Sequence, residues 1–321
     1  MSVPRIAIIG AGVSGLSAAQ KFNELGYHIV VFDKARGPGG RLCTRRSDSG
    51  GFDHGAPYFK ADATRIQPWI DQGIIAPWNG RFGRVESTDT IHKVPANDRW
   101  VGIPKMSTIG RWMAQRLDAH MTIRIDTLEG KPGHWTLVDT KNQRYGPFDF
   151  VLLTCPGPQA AAILPQDSHL YTVAKQLSYS VCWATMLDYD SDLEMPWDAL
   201  EFEKGPIAQA LRSKSKPGRS SLERWVLHAQ ADWSDTHREY APEWVGCMME
   251  NTFRPVARLA ASRINVHRWL YARSHPTQTQ KAVIDHDWAL GLCGDGLSGG
   301  GVLEAIESGE YLAQLVIKTT G

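Results

Sequence analysis

The 321-residue chain contains 42% hydrophobic and 21% charged residues and carries a formal net charge of +1. This composition is typical of a globular protein with ample apolar material for a core, and it excludes the collagen-like and intrinsically disordered classes. A chain of this length usually divides into two domains. The near-neutral charge, with no long run of like charges, argues against nucleic acid or an anionic membrane as a partner.

The spacing of cysteine and histidine indicates neither a disulfide framework nor a metal site. The five cysteines form no CxxC pair, and the 11 histidines show no HExxH or mixed Cys/His ligand spacing. The apolar stretch from Ile6 to Leu16 is interrupted by three glycines and is too short to span a bilayer, and it lacks the features of a signal peptide. We therefore expect no metal and a cytoplasmic location.

The first elements along the chain form a βαβ unit. The β-branched run Arg5–Ile9 predicts a strand, and the spacing of small and apolar residues from Ser14 to Leu25 predicts a helix. The apolar run Tyr27–Phe32 is typical of a strand buried on both faces of a parallel sheet. This second strand ends at Asp33.

The turn between the first strand and the helix reads Gly10-Ala11-Gly12-Val13-Ser14-Gly15 and matches GxGxxG. In this pattern the first glycine makes the turn, the second lets the backbone approach a pyrophosphate, and the third packs helix against strand. Asp33 follows Gly15 by 18 residues, where an acid accepts hydrogen bonds from an adenosine ribose. The motif predicts a dinucleotide, NAD or FAD, with a merely structural turn as the alternative.

A second glycine pair lies just beyond this acid. The segment Lys34-Ala35-Arg36-Gly37-Pro38-Gly39-Gly40-Arg41 resembles the GG motif of the flavin amine oxidase superfamily, in which Arg41 would be the phosphate ligand. NAD-binding Rossmann domains do not usually have this pair, so the resemblance implies FAD. The alternative is an ordinary solvated loop that carries Arg36, Arg41, Arg45 and Arg46.

In the middle of the chain the sequence pattern predicts an insertion, after which the chain re-enters the first domain. From Ala61 to Trp100 the periodicity fades while Trp, Pro and Asn accumulate. A helix is predicted from Met106 to Leu117, and strands are predicted at Met121–Ile125, Trp135–Asp139 and Phe148–Thr154.

The second half of the chain predicts an antiparallel sheet with helices. Alternating stretches occur at Ser180–Leu187 and Arg224–His228, and a helix is predicted from about Pro242 to Phe253. The apolar strand Trp288–Cys293 then leads into a long helix, Gly300–Val316.

Cys293-Gly294-Asp295, before the glycine-rich entry into this last helix, resembles the C-terminal flavin motif of the same superfamily. The resemblance implies that Asp295 binds the ribityl or pyrophosphate side of FAD. Backbone N–H groups near Gly301 and Val302 would face the flavin pyrimidine oxygen, where negative charge builds on reduction. Ile125 is where such proteins let the backbone meet adenine.

Gly296-Leu297-Ser298-Gly299-Gly300 also matches the GxSxG motif of serine hydrolases. That fold requires an acid and then a histidine after the serine, and neither an aspartate nor a histidine follows Ser298. The order of residues therefore argues against a serine hydrolase.

Nearly the whole chain resembles the renalase family, particularly its bacterial members. The resemblance rests on Gly39–Arg41, Phe52–Phe59, Trp100–Gly102, Ser215–Arg219, Trp225–Ala229 and His267–Ala272. Two features depart from the family pattern. Pro57 stands where members commonly have Gln, and the stretch after Asp295 is unusually rich in glycine.

The resemblance implies a FAD-dependent oxidase that converts 2- or 6-dihydro isomers of NAD(P) to NAD(P)+ by hydride transfer to the flavin. Dioxygen would then reoxidise the flavin and give hydrogen peroxide. Loss of hydride beside the ring nitrogen restores an aromatic pyridinium, so positioning and a dry flavin face matter more than a base. No catalytic residue is assigned, and His54 is the one candidate, with a buried core histidine as the alternative.

The expected ligands fall into two sets. The cofactor set is Gly10, Gly12, Val13, Ser14, Gly15, Asp33, Lys34, Gly40, Arg41, Pro57, Tyr58, Ile125, Asp295, Gly301 and Val302. The substrate set is Tyr58, Phe59, Lys60, Ala61, Trp183, Trp225 and Trp269. Each tryptophan has a core position as its alternative.

The predicted fold class is α/β. It combines a FAD-binding Rossmann-like domain of the GR2 type, like that of p-hydroxybenzoate hydroxylase, with an interleaved α+β substrate domain built on an antiparallel sheet. The FAD domain is expected at residues 1–60, 101–165 and 280–321, and the substrate domain at 61–100 and 166–279.

Two other functions stay open. A flavin amine oxidase or desaturase of the same superfamily would share every cofactor motif, and a non-catalytic flavin-binding redox sensor would keep the cofactor without the reaction. The expected partners are a dihydronicotinamide dinucleotide and dioxygen, without nucleic acid or membrane.

Overall fold

The computed structural model describes residues 3–47, 50–95, 98–275 and 279–320. The chain divides into two compact units. The first unit comprises residues 1–41, 110–179 and 274–321, and the second comprises residues 42–109 and 180–273. Among the described residues, no helix has both the length and the apolar character that a membrane crossing requires.

A six-stranded sheet forms the centre of the first unit. Its strands, in order across the sheet, are Ala119–Met121, His28–Asp33, Arg5–Ile9, Phe150–Leu153, Leu290–Cys293 and Ala282–Asp285. The first five are parallel and the last is antiparallel to its neighbour. The central strands are buried on both faces, which explains their continuous apolar sequences.

Two layers cover the central strands. Helices Val13–Glu24 and Val302–Thr320 pack closely, since a Cβ added to Gly309 would lie 2.0 Å from the carbonyl oxygen of Ser14. A three-stranded antiparallel sheet shares a core with alternate residues of the central strands, and its strands are Ile125–Lys131, His134–Asp139 and Arg144–Phe148. The shorter helices are Gly40–Leu42, Gly157–Ala161, His169–Gln176 and Asp295–Ser298.

A seven-stranded sheet forms most of the second unit. Its order is Arg263–His275, Ser178–Asp188, Arg224–Ala229, Ile207–Arg212, Ala199–Phe202, Phe82–Val85 and Ile91–Val94. Ala199–Phe202 and Phe82–Val85 pair in parallel, whereas the strands around Arg224–Ala229 pair antiparallel. Helix Pro242–Ala257 packs Phe253 against Trp225 in the core of this unit.

Smaller elements complete the second unit. A three-stranded sheet consists of Phe59–Lys60, Arg99–Gly102 and Ile75–Pro77, and a two-stranded sheet consists of Arg45–Ser47 and Gly50–Phe52. The short helices are Ala63–Ile66, Gln67–Asp71 and Ala231–Thr236. Helix Ser107–Ala114 runs across the boundary between the two units in the sequence.

The predicted fold class is confirmed, and the first βαβ unit lies within one residue of its predicted bounds. The prediction of a strand at Met121–Ile125 is wrong. One strand ends at Met121, the chain turns at Thr122 with φ of 64°, and another strand begins at Ile125. The apolar residues on either side of this turn belong to two different sheets, which a single-strand interpretation cannot distinguish.

Two other stretches also differ from the prediction. Phe148 ends the strand Arg144–Phe148, and a separate strand begins at Phe150. The aperiodic region 61–100 contains short strands and helices, whose few residues each give too little sequence to show a period.

The division into units lies at other residues than the sequence places it. The chain passes into the second unit after Arg41, whereas the sequence sets that boundary at residue 60. Residues beyond Arg41 pair within the second unit, since Arg45–Ser47 pairs with Gly50–Phe52 and Phe59–Lys60 pairs with Arg99–Gly102. The later boundaries fall at 109/110, 179/180 and 273/274.

Candidate cofactor and substrate site

The candidate cofactor residues of the first unit lie at the carboxyl ends of its parallel strands. Neighbouring strands of the sheet end at Phe32-Asp33, Ile9-Gly10, Leu153-Thr154 and Cys293-Gly294. Ligands of open α/β sheets bind at this edge. The fold therefore brings together motifs that are nearly 300 residues apart in the sequence, as Gly10 and Gly294 show.

The three glycines of the GxGxxG turn have different surroundings, which explain why glycine suits each position. Gly10 has φ of 120°, and a Cβ added to Gly15 would lie 2.1 Å from the Gly10 carbonyl oxygen. At Gly12, by contrast, no heavy atom lies within 4 Å of an added Cβ. Gly10 and Gly15 are thus required for the turn itself, whereas Gly12 faces open space that a ligand could occupy.

Asp33 organises the same turn. Its carboxylate accepts hydrogen bonds from the backbone N–H groups of Ala11 (2.6 Å) and Ala35 (2.7 Å). The remaining lone pairs of the two oxygens can accept bonds from ribose hydroxyls. The backbone of Ile123 donates to the Asp33 carbonyl oxygen (2.9 Å), which places the start of the strand at Ile125 near this acid. The Lys34 ammonium donates to the side-chain oxygen of Gln159 (2.9 Å).

The second glycine pair lies against the first turn. The N–H of Gly39 donates to the carbonyl oxygen of Ala11 (2.7 Å), and a Cβ added to Gly40 would lie 3.2 Å from Gly12 Cα. Gly110, on the following helix, approaches so closely that an added Cβ would lie 2.4 Å from Gly39 Cα. The two glycine turns therefore form one backbone cradle, and its open position at Gly12 fits the pyrophosphate of a dinucleotide.

A charged pair connects this cradle to the C-terminal motif. Arg41 donates through its guanidinium to the carboxylate of Asp295, and the two side chains are 32% and 11% exposed. Ser274 donates to the backbone oxygen of Asp295 (3.1 Å), and the Ser14 hydroxyl lies 3.0 Å from the Cys293 thiol. Arg41 thus supplies a positive charge beside the cradle, held in place by an acid.

A small recess lies beside this ion pair. It is lined by Arg41, Thr154, Cys155, Pro156, Leu177, Tyr179, Cys293, Gly294, Asp295, Gly296 and Leu297. Burial raises the pKa of the Cys155 and Cys293 thiols and of the Tyr179 hydroxyl to about 12 in each case. These groups are neutral near pH 7, so the recess offers hydrogen-bonding groups and no thiolate nucleophile.

The sequence reasoning missed several lining residues of this recess. Cys155-Pro156-Gly157 was interpretable as a turn, but only the strand order shows that it lies between Gly10 and Gly294. Tyr179 had no signal, because nothing in the local sequence relates it to Gly157, whose N–H donates to its hydroxyl (3.2 Å).

The glycine-rich entry into the last helix has left-handed backbone at Gly299, Gly300 and Gly301, with φ between 87° and 116°. The helix begins at Val302, so the backbone N–H groups of its first turn make no bond within the helix. The Glu304 carboxylate folds over this entry, since a Cβ added to Gly301 would lie 2.1 Å from its Oε2. An acid in the first turn also stabilises the helix dipole.

His54 is buried at the centre of a cluster in the second unit. Its carbonyl oxygen accepts from the Trp269 indole N–H (2.9 Å) and lies 3.1 Å from His228 Nε2. Its ring lies 4.8 Å from the ring of His267. Burial, followed by the proximity of His267, lowers the pKa of His54 to about 3, and burial lowers the pKa of His228 to about 4. Both rings are neutral at pH 7.

The predicted residues from Pro57 to Ala61 differ in exposure. Tyr58 is half-buried, with its ring 5.9 Å from Trp78 and 5.3 Å from the Arg99 guanidinium. Phe59 and Ala61 are buried and Lys60 is exposed. Of these side chains, Tyr58 and Lys60 have accessible surface that a ligand could contact.

Trp183 and Trp225 lie in the core of the second unit, contrary to the prediction that they form substrate walls. They are 1% and 0% exposed, and their indole N–H groups donate to the His237 carbonyl (3.1 Å) and to Glu223 (2.6 Å). Neither ring leaves a face for a ligand, because protein atoms surround it. Trp269 is half-buried and joins the His54 cluster instead.

The structure adds a charged cluster that the sequence did not indicate. The Asp53 carboxylate binds Arg219 (2.5 Å), and the ammonium of the buried Lys216 lies 3.9 Å from it. Positive charge from Lys216 and Arg219 keeps the pKa of Asp53 below its ordinary value against the opposing effect of burial. The segment Lys216–Arg219 contributed to the family resemblance, but its contact with Asp53 was not predictable, because this partner lies more than 160 residues earlier.

Comparisons with known proteins agree with this architecture. The family model of the NAD(P)-binding Rossmann-like domain matches residues 8–72. An NADH-dependent glutamate synthase of Schizosaccharomyces pombe is 40% identical over 97 residues, which are 28% of this chain and 4% of that protein. A zeta-carotene-forming phytoene desaturase of Myxococcus xanthus is 51% identical over 41 residues, 13% of this chain and 8% of that protein. The matches thus span less than a tenth of these relatives.

Solved structures match along the whole chain. A candidate protoporphyrinogen oxidase from Exiguobacterium sp. 255-15 has a TM-score of 0.82 at 12% identity, covering 99% of this chain and 100% of that one. Cyclohexylamine oxidase from Brevibacterium oxydans has a TM-score of 0.77 at 12% identity, with coverage of 99% and 100%. Putrescine oxidase bound to putrescine has a TM-score of 0.74 at 12% identity, covering 99% of each chain. The chain therefore has the fold of these oxidases.

Proposed function

We propose that this chain is a FAD-dependent oxidase that converts 2- or 6-dihydro isomers of NAD(P) to NAD(P)+, with dioxygen as the final acceptor and hydrogen peroxide as its product. One observation carries the cofactor assignment: Gly12, Gly40 and the Arg41–Asp295 pair meet at one edge of the parallel sheet. A single Rossmann turn would suit NAD equally well, whereas the second glycine pair with its cation favours the longer flavin dinucleotide.

The residues of the first unit would hold the cofactor in a fixed order. Asp33 would accept bonds from the adenosine ribose, and the open backbone at Gly12 with Arg41 would hold the pyrophosphate. Asp295 would bind the ribityl side, and the N–H groups at Gly301 and Val302 would face the pyrimidine oxygen. When bound, FAD supplies the ring that accepts the hydride.

The second unit would supply the substrate contacts. We assign them to Tyr58, Lys60 and Trp269, whose surfaces are accessible. Trp183 and Trp225 are excluded because they are buried in the core. His54, with a pKa of about 3, is a weak proton acceptor at pH 7. This suits a donor that loses only a hydride, because no proton has to leave with it. The renalase resemblance supports this donor class, and the role of His54 would be to hold Trp269 through its backbone oxygen.

A flavin amine oxidase or a desaturase is the second candidate. The full-length fold likeness to putrescine oxidase and cyclohexylamine oxidase favours it, as does the short sequence match to a phytoene desaturase. A fold hosts many reactions, so these likenesses do not separate the two candidates. A non-catalytic flavin protein that senses redox state is the third reading.

Anaerobic mixing distinguishes the three functions. The purified flavoprotein is mixed separately with 2- and 6-dihydro-NAD isomers, with their NADP counterparts, and with putrescine and cyclohexylamine, while the visible flavin absorbance is followed. We expect rapid bleaching by at least one dihydronicotinamide isomer and slow or absent bleaching by the amines. Bleaching by an amine alone would establish the second candidate, and a flavin that none of these donors reduces would favour the redox sensor.

A further inference from the structure

Lys216 is a buried lysine with an unusual set of contacts. Its side chain is 2% exposed, and its ammonium donates to the carbonyl oxygen of Pro57 (2.9 Å). The same ammonium lies 5.1 Å above the ring of Trp78. Among the described residues, the Pro57 oxygen is its one hydrogen-bond acceptor. A buried charge is costly unless it is paired, so the fold must gain something from this position.

Lys216 lowers the pKa of Asp53 by its charge but is not a hydrogen-bond partner of this carboxylate. Both carboxylate oxygens of Asp53 are already occupied, by Arg219 (3.1 and 2.5 Å) and by Thr44 and the N–H of Met106 (2.6 and 3.1 Å). The lysine lies farther from the acid, at 3.9 Å. Its closest polar contact is with the backbone at Pro57, and that contact identifies what the lysine holds.

The contacts of Lys216 converge on Tyr58. The Pro57 carbonyl belongs to the peptide group that leads directly into Tyr58, and Trp78 is a neighbour of the Tyr58 ring at 5.9 Å. Arg99 covers another side of the same ring at 5.3 Å. Lys216 therefore fixes the backbone before Tyr58 and one of the rings against which Tyr58 packs.

We propose that Lys216 is a positioning residue that holds residues 57–60 in the conformation in which Tyr58 and Lys60 meet the substrate. This inference rests on the proposed function, because it takes those two side chains as substrate contacts. Lys216 acts only through the Pro57 carbonyl and the Trp78 ring and touches no reacting atom.

The charge state of Lys216 gives the proposal a pH signature. Burial lowers the pKa of this lysine to about 8, Asp53 opposes the shift, and Arg219 adds to it. His228 also faces this ammonium and is neutral at pH 7. The cation is present at pH 7 and is lost above about pH 8, so the segment would loosen on the alkaline side. Arginine at this position would stay charged throughout that range.

The first test needs no catalysis. Amide hydrogen exchange in a peptide that spans residues 57–60, where Tyr58, Phe59 and Lys60 carry the exchanging N–H groups, is measured by mass spectrometry. It should accelerate about tenfold in Lys216→Met, because the segment loses a charged hydrogen bond. Lys214→Met is the matched control. It removes an ammonium two residues away that binds Asp192 (2.6 Å) and Glu223 (2.8 Å), and it should leave exchange in 57–60 unchanged. Equal exchange in wild type and Lys216→Met would overturn the proposal.

The second test uses steady-state kinetics with whichever dihydronicotinamide isomer bleaches the wild-type flavin. Lys216→Met should lower kcat/KM about tenfold at pH 7 with flavin content unchanged, while Lys216→Arg should restore most of it. The wild-type activity should decline above about pH 8, and Lys216→Arg should lack this decline. A decline that persists in Lys216→Arg would also contradict the proposal. If no isomer reduces the flavin of the wild-type protein, the proposed function is refuted. The exchange test would still decide whether Lys216 orders the segment.

Discussion

The candidate cofactor site of the first unit consists mainly of backbone, whereas the candidate substrate residues of the second unit are held by side chains. At the sheet edge, Gly40 lies against Gly12 because Gly40 carries no Cβ. Around His54 and Tyr58, positions depend on rings and charges contributed by distant segments. Backbone demands select glycine at fixed spacing and leave a mark in the sequence, whereas side-chain packing can be achieved by many combinations.

The largest effect should follow from filling the open position of the backbone cradle. Gly12 has φ of −70°, which any residue adopts, and space around it, so Gly12→Val should fold. The valine side chain would occupy the volume assigned to the pyrophosphate, and we expect FAD affinity to fall by on the order of a thousandfold, since close backbone approach is lost. Flavin titration of the apoprotein, with thermal unfolding alongside, measures both quantities.

Gly15→Ala is the matched comparison within the same motif. Its methyl group would lie 2.1 Å from the Gly10 carbonyl oxygen, so the backbone must shift at a cost of about 1–3 kcal/mol or more in the free energy of unfolding. We expect lower stability here and near-normal stability in Gly12→Val. Flavin binding that survives in Gly12→Val would show that the open space at this glycine is not the ligand site.

The same distinction explains how much the sequence reveals. Asp33, Gly10 and Gly15 were predictable because one turn geometry requires them at that spacing. The antiparallel sheet of the second unit was also predictable, from alternation along the chain. The core positions of Trp183 and Trp225 were not predictable, because a tryptophan on a strand has the same local sequence pattern whether it faces a pocket or the core. The role of Lys216 was not predictable either, because it depends on a hydrogen bond to Pro57, 159 residues earlier.

A smaller loss should follow from removing the cation beside the cradle. Arg41→Met deletes a charge-assisted contact to phosphate and leaves Asp295, which is 11% exposed, without this partner. A hydrogen bond to a charged group contributes about 1.5–3 kcal/mol, so FAD affinity should fall about 10- to 100-fold. Arg36→Met is the control, because Arg36 is exposed on the same loop and should behave as a solvated charge. Equal losses in both variants would mean that the loop acts only through its overall charge.

The second unit should respond to pH through its neutral histidines. The pKa values of His54 and His228 are about 3 and about 4 in the folded chain, below the ordinary 6.5, mainly because burial disfavours the charged ring. The unfolded chain therefore binds more protons below neutrality, and stability is lost as the pH falls from 7 towards 3. Between pH 7 and about pH 5 the loss should be about 2 kcal/mol for each histidine, before most carboxylates titrate.

Urea unfolding at the two pH values measures this loss. His228→Gln should remove about 2 kcal/mol of it, while His92→Gln, at a side chain that is 62% exposed, should leave it unchanged. An unfolding free energy that is the same at both pH values would mean that these rings are solvated rather than buried.

The smallest expected effect comes from replacing two tryptophans of the second unit, the half-buried Trp269 and the fully buried Trp225. Trp269→Phe loses the indole N–H that binds the His54 carbonyl, and as a proposed substrate contact it should raise KM several-fold with little change in stability. Trp225→Phe should do the reverse. It opens a cavity around a fully buried ring and removes one donor from the Glu223 carboxylate, which keeps Arg212 and Lys214 as partners. We expect a cost of about 1–3 kcal/mol in the free energy of unfolding, while KM stays near the wild-type value. The two substitutions remove the same atoms from the same type of residue, so opposite effects on KM and on stability would separate a ligand-facing ring from a core ring. Similar effects on KM would mean that the accessible face of Trp269 makes no substrate contact.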